Sequence, residues 1–354
     1  MKKILVINTG STSTKIAVYE DTKLLLDENI THSAGELALC ESLLDQLPVR
    51  QKGIEKVLSE KGIGADSFDG IAARGGTFGM VKGGAYLVEE HLLEACRHPV
   101  TNHPSNLSAI IAEYFAKCSG CQAFIYDAVC TNEVKPIARI TGLKEVKRRP
   151  FSHVLNTRAT ARDVAASMGG KYEDMNFIVA HLGGGISINT HEKGQIIDLC
   201  TDDEGPMSPE RAGKLNGKSY VDLCYSGKYT KSEMMKTIKG RGGLVSWFGT
   251  SSLIDIEQMI EQGNQQAEQV LDAMAYQIAK EIGAQSTILK GNVDAIILTG
   301  GCAHSKKLTE RVADRVSFLA PVRVVPGAKE MEALCEGVLR VLSGEESYRV
   351  YEKK

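Results

Sequence analysis

Three glycine-rich turns hold the residues of this chain best suited to chemistry. They read Asn8-Thr9-Gly10-Ser11-Thr12-Ser13-Thr14-Lys15, His181-Leu182-Gly183-Gly184-Gly185 and Thr299-Gly300-Gly301. A turn free of bulky side chains presents its backbone N–H groups as a cradle for phosphate oxygens. In the first turn Ser11, Thr12 and Ser13 add hydroxyl donors and Lys15 adds positive charge, while Asn8 adds a carbonyl able to face a hydrated Mg2+. The second is barer, as suits backbone that approaches a nucleotide directly. Neither G-x-x-x-x-G-K-[ST] nor a G-x-G-x-x-G opening a helix after the first strand is present. Nucleotide phosphate binding is therefore predicted from the three turns together.

The elements that must position these turns follow from the hydrophobic pattern. Strands are predicted at 4–8, 14–20 and 23–30, with a tight turn at Asp21-Thr22. A helical period covers 35–60, interrupted at Pro48. Short strands are predicted at 70–73 and 123–126, the second ending at Asp127, and helices at 104–117 and 156–168. A β-rich block spans 176–199, a long helical stretch 253–289, a strand 294–298, and helices 305–318 and 329–342. Such alternation predicts an α/β protein with helix-covered sheets. Residues 4–24 and 177–197 align without a gap at an offset of 173, placing Asn8 on His181 and Gly10 on Gly183. Two copies of one strand–turn–strand unit, each opening a half of the chain, predict a duplicated domain with a cleft between the copies.

Composition narrows the function classes. At about 150 residues per domain, 354 residues suggest two domains. The 42 Lys and Arg nearly balance the 44 Asp and Glu, which argues against a protein built to coat nucleic acid or an anionic membrane. The basic run at 144–149 lacks interleaved aromatics and reads as a solvated turn. No apolar run is long enough to span a membrane, and the one behind Met1-Lys2-Lys3 is too short for a secretory leader. The nine cysteines are scattered, and Cys118 and Cys121 form the single C-x-x-C, with no second pair for zinc. Reduced thiols in a cytoplasmic protein are expected. Trp247-Phe248 either meets a substrate or partner or anchors a loop in the core, and Tyr220 to Tyr229 reads as part of a helix.

In these turns and elsewhere the chain resembles the acetate and sugar kinase, Hsp70 and actin superfamily, and within it the acetate/butyrate kinase family. The matching segments are VINTGSTSTK (6–15), NHPSNL (102–107), IYDAV (125–129), RRPFSHVLN (148–156), HLGGG (181–185), EGPMSPERAG (204–213), ILTGGCAHS (297–305) and EMEALCEGVLRVL (330–342). The total length, the Arg-Gly-Gly at 74–76 and the SPERAG segment look like the butyrate kinases rather than the longer acetate kinases. The resemblance implies two duplicated ribonuclease-H-like (actin-like ATPase) domains with an interdomain cleft that closes on its reactants. Residues 1–150 with 328–354 would carry the first phosphate hairpin and the carboxylate site; 151–327 would carry the second hairpin and an adenosine-holding turn at Gly300 and Gly301. It further implies reversible phosphoryl transfer between ATP and butyrate, or a related short or branched acid, giving an acyl phosphate and ADP with Mg2+. A cytoplasmic homo-oligomer, dimer or higher, is implied, acting on small molecules and on neither nucleic acid nor membrane.

Such a reaction needs no general base, because the attacking carboxylate is ionised at neutral pH. The task is to bring two anions together. Arg74 offers a planar fork suited to a carboxylate. The resemblance gives His153 a contact with the transferring phosphoryl, makes Asp127 a partner of Mg2+ or of a catalytic arginine, and turns Asn8 toward the metal. Where acetate kinases have an arginine in G-T-R-S-G, this chain reads Lys214-Leu215-Asn216-Gly217-Lys218, so Arg211 is expected to stand in, with Lys214 in reserve. Where they place a metal-holding Glu after the third turn, this chain has Cys302-Ala303-His304. The metal then relies on more water, or on Glu330 or Glu332. Ser152 separates Phe151 from His153, where the family has the Phe directly before the His. Two other functions share the hairpins: a sugar or polyol kinase with Asp127 as base, and a non-enzymatic actin- or Hsp70-like nucleotide switch.

Overall fold

The computed structural model describes residues 1–99, 101–148 and 151–352. The chain divides into two compact units, one of Met1–Asn132 plus the segment from Lys329 onward, the other of Glu133–Ala328. In the first, β1 (Lys3–Thr9), β2 (Ser13–Glu20) and β3 (Lys23–Thr31) form an antiparallel meander. With β4 (Gly70–Arg74), β5 (Ala85–Leu87) and β6 (Gln122–Tyr126) they make a six-stranded sheet in the order β3-β2-β1-β4-β6-β5. In the second unit β7 (Asn176–Leu182), β8 (Ile186–Glu192) and β9 (Gln195–Cys200) form the meander. With β10 (Ala295–Gly300) and β11 (Val322–Pro326) the order is β11-β10-β7-β8-β9.

The duplication seen in sequence recurs as topology. In each sheet the first strand of the meander takes a parallel neighbour, which is flanked by another parallel strand. The gapless alignment is nevertheless one residue out past the turn. Thr9 pairs with Thr14 in the first hairpin, whereas Leu182 pairs with Ile186 in the second, whose turn is one residue shorter. The bulges between the second and third strands, at Val18/Tyr19 and Thr190/His191, show the same slip.

Both faces of each sheet are covered, so the parallel strands read as unbroken apolar runs. Leu5, Ile7, Ile71 and Ala73 pack with Ile54 and Leu58 of the helix Leu47–Glu60 and with Leu107, Ile111 and Phe115 of the helix Asn106–Ser119. On the second sheet, Ile178, Ala180, Ile296 and Leu298 meet Leu271, Met274 and Ile278 of the helix Gln265–Ile288. Phe177, Val179 and Ile297 meet Ala161 and Val164 of the helix Val154–Ser167. Burying each large aliphatic of this kind is worth about 1.5–3 kcal/mol.

Several elements depart from the sequence reading for local reasons. Pro48 does not interrupt a helix but sits in the first turn of Leu47–Glu60, where its missing N–H costs nothing. The stretch 253–289 is two helices, Leu253–Glu261 and Gln265–Ile288, parted by Gly263 at φ 86°. The helix expected through Tyr229 ends at Cys224. Strands β5, of three residues, and β11 and the helix Glu90–Arg97 are elements the sequence reading did not include. The unit boundary after Asn132 precedes the expected one at 150, and Pro150 lies outside the described residues. Residues after Asn132 are bound into the second unit. Glu133 Oε2 accepts from Arg158 Nη2 at 2.6 Å and from the Ile196 amide at 3.0 Å, and the Lys135 amide donates to Ile197 O at 2.9 Å. In the basic run, Arg148 is no solvated side chain: it pairs with Asp198 and Glu204 at 3.0 and 2.7 Å, and Arg149 lies outside the described residues. Trp247 is 56% exposed, while Phe248 packs against the core.

The helix Glu330–Leu342 returns to the first unit. Leu342 and Val338 approach Gly70 on the sheet face opposite Ile71, and Arg340 Nη2 donates to Tyr126 Oη at 2.8 Å. A Cβ on Gly337 would lie 2.5 Å from the Tyr126 ring. Gly337→Ala is expected to destabilise the first unit by about 1–3 kcal/mol through overpacking. Denaturation monitored by hydrogen exchange in β4 and β6 checks this, and unchanged protection there would refute it.

Candidate active site

In the first unit the chemistry-bearing residues share one sheet edge. Because β1, β4 and β6 run parallel, their carboxyl ends lie together, bringing Asn8, Arg74 and Asp127 to the same side as the turn at 10–13. That turn is closed by the Gly10 amide donating to Ser13 O at 2.8 Å. Thr9 is buried, its amide donating to Ser108 Oγ at 3.1 Å and its hydroxyl to Pro104 O at 2.6 Å, so the 102–107 segment braces the hairpin. Ser11 and Thr12 are exposed and Ser13 half-buried, leaving the hydroxyls at the surface. Lys15 reaches sideways to Asp27 at 3.2 Å.

Asn8 Nδ2 donates to Glu330 Oε2 at 3.1 Å. Its amide oxygen is thereby left as the acceptor beside a carboxylate. Of the two glutamates considered for the metal, it is Glu330 that stands next to Asn8. Arg74 ends β4, nearly buried, and its Nη1 donates to Asp127 O at 3.3 Å. Asp127 holds a left-handed φ of 42°, and its Oδ1 accepts from the Gly84 amide at 2.8 Å. Gly75 and Gly76 cannot carry a Cβ, because Ala128 and Asn106 occupy that space. His103 belongs to this group: its Nδ1 contacts Ser105 Oγ, and burial, then the positive charge of Arg74, holds its pKa below the ordinary value.

In the second unit His153 and His181 stack face to face, ring centroids 3.9 Å apart and planes within 9°. His153 stands at the residue before the helix Val154–Ser167, and its Nδ1 lies 2.9 Å from Ser187 Oγ. Asn156 Nδ2 donates to His181 Nδ1 at 2.9 Å. Burial, then the neighbouring His153, pushes the His181 pKa down to about 3. A neutral ring that accepts at Nδ1 keeps its proton on Nε2, and Nε2 faces the second turn, 3.3 Å from where a Gly183 Cβ would sit. Carboxylates crowd the rest of that turn. A Cβ on Gly185 would lie 2.7 Å from Asp202 Oδ2, and one on Gly184 3.1 Å from the Glu210 carboxyl carbon. Arg211 is tied to both acids, by Nε to Asp202 at 3.1 Å and by Nη1 to Glu210 at 3.4 Å. Lys214 pairs with Glu281. At the third turn Gly300, φ 92°, leaves no room for a Cβ against Leu182 O, and it exchanges backbone bonds with Gly327 at 3.0 Å each way. Gly301 faces open space.

Comparison with known proteins finds relatives of the chain. Residues 144–326 match the Acetokinase family. Over 352 residues, 99% of this chain and 99% of the relative, the sequence is 44% identical to butyrate kinase 2 of Clostridium acetobutylicum. The chain belongs to the acetokinase family. Its fold is that of acetate kinase from Porphyromonas gingivalis, with a TM-score of 0.80 at 19% identity over 97% of this chain and 100% of that one. It is also that of a propionate kinase from Francisella tularensis, at 0.75 and 15% over 95% and 99%.

Within this acetokinase, sequence reasoning passed over His103, although it lies in a quoted segment, and left Glu330 undecided. Each gains its meaning from a partner far along the chain: Glu330 from Asn8, His103 from Arg74. All nine cysteines are free thiols, and Cys302, beside the third turn, is pushed up to about 11 by burial.

Two histidines of the second unit set an acid limit. His181, and His191 buried on β8, are both lowered from 6.5 to about 3, desolvation being the main cause. In that window the unfolded chain binds more protons than the folded one, so stability falls as pH drops from about 6.5 toward 3. Melting curves across this range should show the loss, and His191→Phe should flatten it. Ring-nitrogen NMR should show His181 neutral and protonated on Nε2 at pH 5; an imidazolium there would refute the assignment.

Proposed function

We propose that this acetokinase transfers the γ-phosphoryl group of ATP to butyrate or a related short or branched-chain carboxylate, reversibly, giving an acyl phosphate and ADP. The observation that carries this reading is the end-to-end 44% identity with a protein named butyrate kinase 2. The site's chemistry supports it: a nearly buried Arg74 has its fork at a strand end. A carboxylate oxygen attacks the γ-phosphorus, the bond to the β–γ bridging oxygen breaks, and ADP departs with that electron pair.

The local environments support the following roles. Arg74 binds and neutralises the incoming carboxylate, with Asp127 fixing the loop behind it and His103 beside it. The turn at 10–13 takes β- and γ-phosphate oxygens on its amides and on Ser11, Thr12 and Ser13, with Lys15 at its flank. His153, braced by Ser187 and stacked on His181, donates to the transferring phosphoryl. Gly183, Gly184 and Gly185 bring backbone to the phosphates, His181 adds a neutral Nε2 donor, Arg211 supplies the second cation, and Gly300 and Gly301 flank the adenosine. Among the described residues no cluster of three or more His, Cys, Asp or Glu could enclose a metal. Mg2+ would be held through one or two carboxylates, waters and phosphates, a pattern that Glu330 with the Asn8 carbonyl would fit, Asp127 being the further candidate. When bound, Mg2+ would neutralise charge on the phosphates. The reading extends to a cytoplasmic homo-oligomer without nucleic-acid or membrane partners. The oligomer is supported by exposed Val221, Tyr225, Trp247 and Ile254.

Purified protein with ATP, Mg2+ and a panel from acetate to valerate should yield acyl hydroxamates in hydroxylamine, and no turnover with hexoses or glycerol. Arg74→Ala should raise the carboxylate KM and lower kcat. His153→Ala should mainly lower kcat, by about 1.5–3 kcal/mol, the worth of one hydrogen bond to a charged group. Wild-type kinetics in both variants would remove these roles. Glu330→Gln, which preserves shape, should raise the Mg2+ concentration for half-maximal rate about 10–100-fold; an unchanged Mg2+ requirement would exclude Glu330.

A further inference from the structure

Arg50, on the helix Leu47–Glu60, is wholly buried beneath the first turn, at 0% exposure. All five of its N–H donors are used, and every acceptor is neutral. Nη1 donates to Ser13 O at 2.8 Å and Thr14 Oγ1 at 3.0 Å, and Nη2 to Ser11 O at 3.1 Å and Gln46 Oε1 at 2.9 Å. Nε donates to Gln46 Oε1 at 3.2 Å. No carboxylate among the described residues pairs with it. A buried charge without a counter-charge is costly, even when its hydrogen bonds are met. Its neighbour His32 has a pKa lowered by burial and then by Arg50 itself.

The bonds also orient the turn. Ser11 O is held by Arg50, and Thr12 O accepts from the His32 amide at 2.9 Å. In a planar trans peptide the following N–H points opposite to the carbonyl, so the amides of Thr12 and Ser13 are directed away from the groups that hold those carbonyls. A carbonyl bonded to a cation also polarises its peptide unit and makes that N–H a stronger donor.

We propose that Arg50 is an electrostatic positioning residue for a bound polyphosphate: it fixes the 10–13 turn from below, aims the Thr12 amide outward through Ser11 O, and has its unpaired charge balanced by the phosphates above. The proposal rests on the reading of this turn as a phosphate cradle. Arg50 touches no reactant; it acts through the turn.

Binding of adenosine, AMP, ADP and ATP with Mg2+ to wild-type, Arg50→Met and Arg50→Lys proteins tests it. A charge role predicts that Arg50→Met loses about tenfold or more in ATP affinity, less for ADP and AMP, and nothing for adenosine, with the butyrate KM unchanged. Arg50→Lys, which keeps the charge but not the fork, should recover most of that loss. Equal losses for all four ligands, or Arg50→Lys as impaired as Arg50→Met, would reduce Arg50 to a structural tie and overturn the proposal. Should Arg50→Met fail to fold, the wild-type protein decides. The Arg50 Nε–Hε resonance, identified by its absence in Arg50→Lys, should shift on binding ADP but not adenosine, and a resonance indifferent to ADP would refute the role. Wild-type protein that binds adenosine but gains nothing from added phosphates would remove the cradle reading itself. Normal phosphate dependence in wild type, retained in Arg50→Met, would remove only Arg50.

Discussion

Parallel pairing decides where chemistry can occur in this protein. Once β4 lies parallel to β1 and to β6, the carboxyl ends of all three reach the same edge, and the β1–β2 turn opens there as well. Asn8, Arg74 and Asp127 then become neighbours of a phosphate-sized turn without a helix being recruited to carry them. The second sheet repeats the device, with His181 at the end of β7 and Gly300 at the end of β10. Close packing behind that edge makes the arrangement rigid: the Arg-Gly-Gly turn sits so near Ala128 and Asn106 that glycine alone fits.

The two turns solve the same problem with different electrostatics. The first is rich in hydroxyls and backed by a buried guanidinium, so its field favours anions. The second has neutral His181 at one end and the carboxylates of Asp202 and Glu210 against its glycines, with Arg211 bound to both acids. Lys239 joins the cluster at 3.4 Å from Asp202, so net charge near the second turn is set by paired acids and bases. Two copies of one supersecondary unit have thus diverged in charge while keeping strand order.

Much of the fold was legible because the strands are apolar runs punctuated by glycine, and the duplication could be found by laying 4–24 over 177–197. Register was less legible, because one residue fewer in the second turn leaves the apolar pattern on either side intact. Candidate residues at strand ends, such as Arg74 and Asp127, could be picked out because a strand-ending polar residue has few structural excuses. Arg50 could not. In the sequence it is one basic residue in a helical period, and its burial depends on Ser11 and Ser13, far back along the chain. Glu330 could be named as one of two metal candidates, but only the docking of its helix beside Asn8 separates it from Glu332.

That docking has a consequence for biogenesis. The second unit is continuous in sequence, whereas the first is assembled from both sides of it. On the ribosome, β1 to β6 emerge early, but the face that takes Leu342 and Val338 stays bare until the entire second unit has been translated. The nascent first sheet therefore keeps an apolar surface open to water while residues 133–328 are made, and gains its Asn8–Glu330 pair only after them.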